Sequence, residues 1–249
     1  MWRFSGGDKE KQGLAASGTS LPPAPGPARA FRQATARSIP EAEPGTRRLL
    51  HVGCGRASPQ KLHRVFRAAE WREVRLDADE EAEPDILCSV ADMREAVPDA
   101  SFDALWASHV IEHLHTHEAP LALREFRRAL KPGGYALIRT PDLAAVASAI
   151  LTHGADHVAY VAPAGPITPL DMLFGHGRSI RKGSHYMAHH TAFTAERLGR
   201  MLVAAGFAEA RTLPLPEFDL YALALTPGCA PEATVAELAR AGLDFSHAG

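Results

Sequence analysis

The chain has 249 residues, 46% of them hydrophobic and 22% charged, with a formal net charge of −2, enough apolar material for one domain with a sizeable core. That charge gives no sign of the basic footprint by which proteins bind nucleic acid, and no apolar run reaches membrane-spanning length. Cys54, Cys88 and Cys229 stand alone with no CxxC pair, which argues against a disulfide framework and for a reducing cytosol, and no apolar h-region marks a secretory signal at the N-terminus.

Residues 1–45 are rich in Gly, Ser, Ala and Pro, including Leu21-Pro22-Pro23-Ala24-Pro25-Gly26-Pro27. Such a stretch buries too little apolar surface to offset chain entropy and is expected to be a disordered tail, made mildly basic by Arg29, Arg32 and Arg37. The stretch Leu49-Leu50-His51-Val52-Gly53-Cys54-Gly55 then turns from an apolar strand into two glycines one residue apart. Ser58-Pro59 follows, a cap and a first helical residue, and Leu62, Val65, Phe66 and Ala69 are spaced as one helix face. The reading is strand, glycine turn, helix, with room for a ligand against the bare backbone near a helix start. The spacing is not the dinucleotide fingerprint GxGxxG, because Ser58 stands where its third glycine would fall.

His51 to Gly55, with the apolar run before it, resembles motif I of the class I S-adenosylmethionine-dependent methyltransferases. In many members the position of His51 is acidic, and the third glycine of a GxGxG loop is replaced here by Ala57. A second strand is predicted over Glu73–Leu76, ending at Asp77. Asp77 lies about twenty residues past the glycine turn, where an acidic residue meets ribose hydroxyls in nucleotide-binding βαβ units; Asp79 in the same acidic run is the register alternative. A third strand is predicted over 85–90. After it the resemblance implies that Asp92 accepts from the adenine amino group and that Met93 lines the ring; an Asp92 N-cap for the following turn is the competing reading.

Ser101 to His109 reads as a buried strand, and the whole stretch from Ser101 through Leu114 resembles the fourth motif of small-molecule methyltransferases. A helix follows from Pro120 to Leu130 with Leu123, Phe126 and Leu130 on one face, stopped by Lys131-Pro132-Gly133-Gly134. Tyr135 to Pro141 is the fifth strand, again in the manner of the family. Residues 143–192 are expected to form a variable, acceptor-binding insertion that begins with a helix over 143–151. Thr194 caps a helix to Ala205. Two closing strands are predicted over 207–213 and 218–226, and a short helix within the C-terminal tail 228–249.

The resemblance implies a Rossmann-like, doubly wound seven-stranded α/β domain over 46–227 with S-adenosyl-L-methionine as cofactor. It places Gly53, Cys54 and Gly55 under the cofactor, Asp77 on the ribose, Asp92 and Met93 on the adenine, and Ser108 and His109 near the methionine end. The expected reaction is methyl transfer, by preference O-methylation, to a small-molecule or glycan-type acceptor. An in-line transfer to a hydroxyl needs a base that works near neutral pH, for which His109 and His113 are the catalytic candidates. His185 and His189 in the insertion are candidates for acceptor contact, as are Arg178, Arg181 and Lys182 for an acidic acceptor. The two histidine clusters, 109–117 and 185–190, also permit a metal reading. No metal is expected, because His109-Val110-Ile111-Glu112-His113 is not HExxH and fits the methyltransferase motif without one. Two rivals stay open: a non-catalytic S-adenosylmethionine-binding scaffold, and a nicotinamide-dependent oxidoreductase, the latter disfavoured by the missing GxGxxG and Tyr-x-x-x-Lys.

Overall fold

A computed structural model describes Thr35–Ala36 and residues 45–248. The expected disordered tail lies outside the described residues, except that Thr35–Ala36 (β1) forms a two-residue strand. In chain order there follow β2 (Arg47–Val52), β3 (Trp71–Asp77), β4 (Ile86–Leu87), β5 (Phe102–Ser108), α1 (Ala119–Ala129) and β6 (Leu130–Pro141). Then come α2 (Leu143–His153), β7 (Tyr160–Ala162), β8 (Gly165–Ile167), α3 (Pro169–Phe174), α4 (Gly177–Arg181), α5 (Ala195–Ala204), β9 (Glu209–Leu215), β10 (Asp219–Leu225) and α6 (Pro231–Arg240).

The main sheet runs β1-β4-β3-β2-β5-β6-β10-β9. The five strands from β4 to β6 are parallel, and β10 enters antiparallel to both β6 and β9. This is the expected seven-stranded α/β sheet, with β1 added antiparallel on the edge of β4. Strand order reverses between β2 and β5, and the crevice outside the carboxyl ends of strands at such a point is where open α/β sheets bind ligands.

Buried parallel strands need apolar residues on both faces, and the sequence supplies them. Leu50, Val52, Val74, Leu76, Leu105, Ala107 and Ile138 pack on one face under α1 and α5, through Leu123, Phe126, Leu198 and Leu202. Leu49, Trp106, Tyr135, Leu137, Tyr221 and Leu223 pack on the other. Each fully buried Leu, Ile or Phe contributes about 1.5–3 kcal/mol. The second face is completed by Val235, Leu238, Leu243 and Phe245, all buried. The segment after 227 is therefore an integral layer of the domain rather than the tail that its position suggested.

The expected helix after the glycine turn is absent. Two 3-10 turns, Pro59–Lys61 and Arg64–Arg67, take its place. The carbonyls that would anchor a helix there have other partners: Lys61 O accepts the Trp106 indole N–H at 2.9 Å, and Leu62 O accepts the Arg67 guanidinium at 2.8 Å. Val65 N–H turns instead to His63 Nδ1 at 3.4 Å. Ser58 makes no cap; its hydroxyl bonds Gln60. The third strand shrinks to β4 because Ser89 draws the N–H of Ala91 and Asp92 into a turn. The fifth begins earlier than expected, at Leu130. Residues 131–134 bulge between the pairs Phe102↔Leu130 and Ala104↔Tyr135, with the Lys131 ammonium on Asp103 at 2.9 Å.

Within 143–192, α2 is capped by Asp142, and α3 carries a full capping box between Thr168 and Asp171. Val146, Ile167 and Met172 form its own small core.

Candidate active site

Four predicted residues meet at the ends of β2 and β3. Gly53 and Gly55 both have φ near +60° (60° and 55°), a conformation that costs glycine least. A Cβ on Gly53 would lie 2.4 Å from Val110 Cγ2, so the bend also brings backbone against the start of the turn after β5. Cys54 N–H donates to Leu76 O at 3.2 Å, and Gly55 N–H donates to Asp77 Oδ2 at 2.7 Å. Asp77 Oδ1 accepts from Asp79 N–H at 2.9 Å. Each carboxylate oxygen has two acceptor directions, so Asp77 keeps one on each oxygen for a diol. Arg75 braces the bend from outside by donating to the carbonyls of Gly55 and Ala82. Lys61 Nζ lies over Gly55 and takes the space a Cβ would need there. Burial pushes the Cys54 thiol up to about 12, so it stays protonated at neutral pH and serves as packing rather than as a nucleophile.

Across the switch point, Ser108 ends β5 and His109 follows with φ 54°. A left-handed histidine is strained by of order 1–3 kcal/mol and is held here by its N–H bond to Arg139 O at 2.9 Å. Its Nδ1 lies 3.0 Å from Glu112 Oε1, while its side chain is 42% exposed and Glu112's only 1%. Thr140 Oγ1 donates to Glu112 Oε2 at 3.1 Å. Burial acts to raise the Glu112 carboxyl, but His109, by hydrogen bond and charge, and His113, by charge, outweigh it and hold the group below the ordinary carboxylate range. An exposed imidazole aimed by a buried carboxylate is the arrangement that lets a histidine take a proton and carry the charge.

His113 faces the insertion. Its Nδ1 lies 3.0 Å from Ala188 O, and its ring meets His189 edge-on with centroids 4.7 Å apart. His189 Nδ1 in turn lies 2.9 Å from Met172 O. The N–H groups of His190 and Thr191 donate to Glu112 O, at 2.8 and 3.2 Å. The end of the insertion is thereby fastened onto residues 112–113. His185, Arg178, Arg181 and Lys182 are exposed.

Two predicted residues are placed elsewhere. The Met93 side chain is fully enclosed in the core, and its N–H donates to Glu125 Oε2 at 2.9 Å. Asp92 is exposed, and both its oxygens are taken by Arg94 at 2.8 Å, which lowers its pKa through that hydrogen bond. No hydrogen bond among the described residues links either one to the glycine bend. His51, at the position often acidic in relatives of this type, is 4% exposed and bonds Glu73 Oε1 at 2.6 Å, inside the sheet rather than in the crevice. The residues that sequence reasoning passed over are Glu112 and Thr140. Glu112 stood in a quoted motif without a role, although its i,i+3 spacing from His109 was visible.

The fold, the glycine bend and its carboxylate define a Rossmann-like methyltransferase domain. The family described as Methyltransferase domain matches residues 26–210, more than half of the chain. The chain belongs to that family, the class I S-adenosylmethionine-dependent methyltransferases. A comparison with curated protein sequences gives no match. Among solved structures, the chain is similar to the citrinin polyketide synthase CMeT domain, with 13% identity, a TM-score of 0.49, and coverage of 73% of this chain and 47% of that one. It is also similar to a SAM-dependent methyltransferase from Archaeoglobus fulgidus (15%, TM-score 0.46, 72% of this chain and 86% of that one). A third is the Burkholderia thailandensis 1,6-didemethyltoxoflavin-N1-methyltransferase (16%, TM-score 0.45, 73% and 72%). The chain thus spans about half the length of the first and most of the other two.

Proposed function

We propose that the protein transfers the methyl group of S-adenosylmethionine to a hydroxyl of a small-molecule or glycan-type acceptor in a reducing, cytosolic setting. The observation that carries this reading is an exposed His109, held by the buried Glu112, at the end of β5, the strand paired to β2 just before the glycine bend.

The cofactor supplies an activated methyl on a sulfonium, and the residues present fit it. Asp77 has free acceptor directions for the ribose diol, and Gly53 and Gly55 shape the bend that would meet it, with Val110 and Lys61 covering the side a Cβ would take. Lys61, whose Nζ lies over Gly55, is the cation offered to the methionine carboxylate. Ser108 lines the methionine end. The chain's remaining task is to seat the acceptor oxygen in line behind the methyl and take its proton. His109 does the second at Nε2, while Nδ1 stays on Glu112. His113, a second catalytic candidate from the sequence, has its Nδ1 committed to Ala188 O and takes a holding role. The insertion histidines and Arg178, Arg181 and Lys182 border the acceptor side. Asp92 and Met93 would reach adenine only after Arg94 releases Asp92 and the core opens at Met93, so the adenine contacts fall first to the backbone of this segment.

The test is turnover: S-adenosylhomocysteine formation from S-adenosylmethionine with a panel of hydroxyl acceptors. The reading expects acceptor-dependent product with at least one hydroxyl compound. Binding of S-adenosylhomocysteine with no turnover on hydroxyl, amine or carbon acceptors would favour the non-catalytic scaffold; turnover confined to amines or carbons would move the methyl to another atom.

A further inference from the structure

The insertion carries its own chemistry into the site. One ligand atom from each of Glu112, His113 and His189 lies within 4.8 Å of the others. The three come from distant parts of the chain: a 3-10 turn after β5 supplies the first two, and the far end of the insertion supplies the third. We propose that Glu112, His113 and His189 form a binding site for one divalent first-row transition cation, of the zinc, manganese or cobalt type.

Three features of the site carry this. First, one ligand atom from each of the three residues lies within 4.8 Å of the other two. His113 and His189 each place Nδ1 against a backbone carbonyl, at 3.0 and 2.9 Å. A carbonyl only accepts, so Nδ1 carries the proton in both rings, and each Nε2 is left as a lone pair. With both rings neutral, two imidazole lone pairs and a carboxylate in one small space repel unless a cation joins them, and a metal does so where a proton on His113 otherwise would. Second, the support is of the kind that metal-binding histidines have: the ring nitrogen away from the metal donates to a carbonyl, which fixes tautomer and aim. Glu112 is likewise held, by Thr140 on one oxygen and His109 on the other. Third, a small cavity lined by Glu112, Thr140, Val146, Met172 and His189 reaches two of the three groups.

The donor set is two imidazoles and one carboxylate, which suits borderline transition cations and leaves a coordination position open. Bonds of about 2.0–2.2 Å put ligand atoms about 3–3.5 Å apart, so loading draws the three groups together by about an ångström. Both supporting carbonyls, Ala188 O and Met172 O, belong to the insertion, so docking of the insertion builds the site. The role of the cation rests on the hydroxyl-methylation reading. An acceptor hydroxyl on the open position loses its proton more readily; that proton passes to His109, the O–CH3 bond forms as the S–CH3 bond breaks, and sulfur keeps the electron pair.

The test uses tag-free full-length protein, dialysed against Zn2+, Mn2+ or Co2+ and analysed for bound metal, with Co2+ also read by its visible absorption. The expected result is one equivalent of at least one cation and a Co2+ ligand-field band. His189→Ala should weaken binding by more than about 100-fold, while His185→Ala and His190→Ala leave it within about twofold. His189→Gln stands in if His189→Ala does not fold. Calorimetry with S-adenosylhomocysteine, run on the same samples, should be unchanged by His189→Ala, so loss of the cofactor reading shows up separately. Less than a tenth of an equivalent of all three cations, or binding that His189→Ala and His189→Gln both leave intact, would overturn the site; a proton shared among the three groups would then be what joins them.

Discussion

The backbone N–H of Gly55 donates to the Asp77 carboxylate at 2.7 Å. That one bond ties the bend after β2 to the end of β3 and sets the shape of the crevice before any ligand arrives. The carboxylate holds the bend, and on the proposed reading it also receives the ribose.

Removing the carboxylate should cost both. A hydrogen bond to a charged group is worth about 1.5–3 kcal/mol, so Asp77→Ala is expected to weaken S-adenosylhomocysteine by about 10–100-fold. Asp77→Asn, which keeps one accepting oxygen, should lose less. Calorimetric titration of the three proteins checks the order.

Gly53 answers for two different costs. A Cβ there would meet Val110 Cγ2 at 2.4 Å, and φ is 60°. Gly53→Ala is expected to destabilise by about 1–3 kcal/mol from crowding and backbone strain together. Val110→Ala in the same chain should recover the crowding part and leave the strain. Urea unfolding of the single and double variants gives the coupling, which should be non-additive by more than about 0.5 kcal/mol.

His109→Ala should lower kcat by about 10²–10⁴-fold, the usual worth of a general base, while S-adenosylhomocysteine binding stays within about twofold. Its partner makes a separate prediction about stability. Because Glu112 is held below the ordinary carboxylate range, the stability it contributes is fully present above that range. It is lost as pH falls through the depressed value. The stability gap between wild type and Glu112→Gln should therefore be widest near neutrality and close in acid, as read by thermal unfolding at a series of pH values.

His63 also costs stability in acid, though from a depressed histidine rather than a depressed carboxylate. Burial first, and then Arg64, Arg67 and Arg139, push it down to about 4. Its ring packs near Trp106 and Tyr221, and its Nδ1 accepts from Val65 N–H. The unfolded chain takes up its proton near pH 6.5 and the folded chain does not, so stability falls as pH drops from about 6.5 to about 4. Allowing for the partial exposure of the ring, the loss is about 1–2 kcal/mol. His63→Leu should flatten that part of the stability–pH curve.

How much of this was legible beforehand depends on whether a residue's partners were local. The strands β2, β3, β5, β9 and β10 were readable from apolar runs, and the bend from two glycines, because strand and turn preferences are short-range. The helix after Ser58 was misread for the converse reason. Its residues suit a helix, but Trp106 and Arg67 claim the carbonyls of Lys61 and Leu62, and Trp106 comes from a strand far along the chain. Met93 was placed on a base because it is flexible and follows an Asp, yet its side chain is needed in the core, and only Glu125, on α1, accounts for its N–H. The choice of Asp77 rests on a distance along the chain that βαβ geometry fixes, and its carboxylate does meet the glycine bend. The meeting of Glu112 and His113 with His189 has no such rule, since it depends on how an insertion of variable length folds back.

The central claim is that the bend at Gly53–Gly55 and the carboxylate of Asp77 together hold one adenosyl cofactor, and isothermal titration of the wild-type protein with S-adenosylhomocysteine and with NAD tests it most directly. The account predicts one site that prefers S-adenosylhomocysteine over NAD by at least about 100-fold, a difference of about 2.7 kcal/mol. No heat with S-adenosylhomocysteine on folded protein, or equal affinity for NAD, would contradict it.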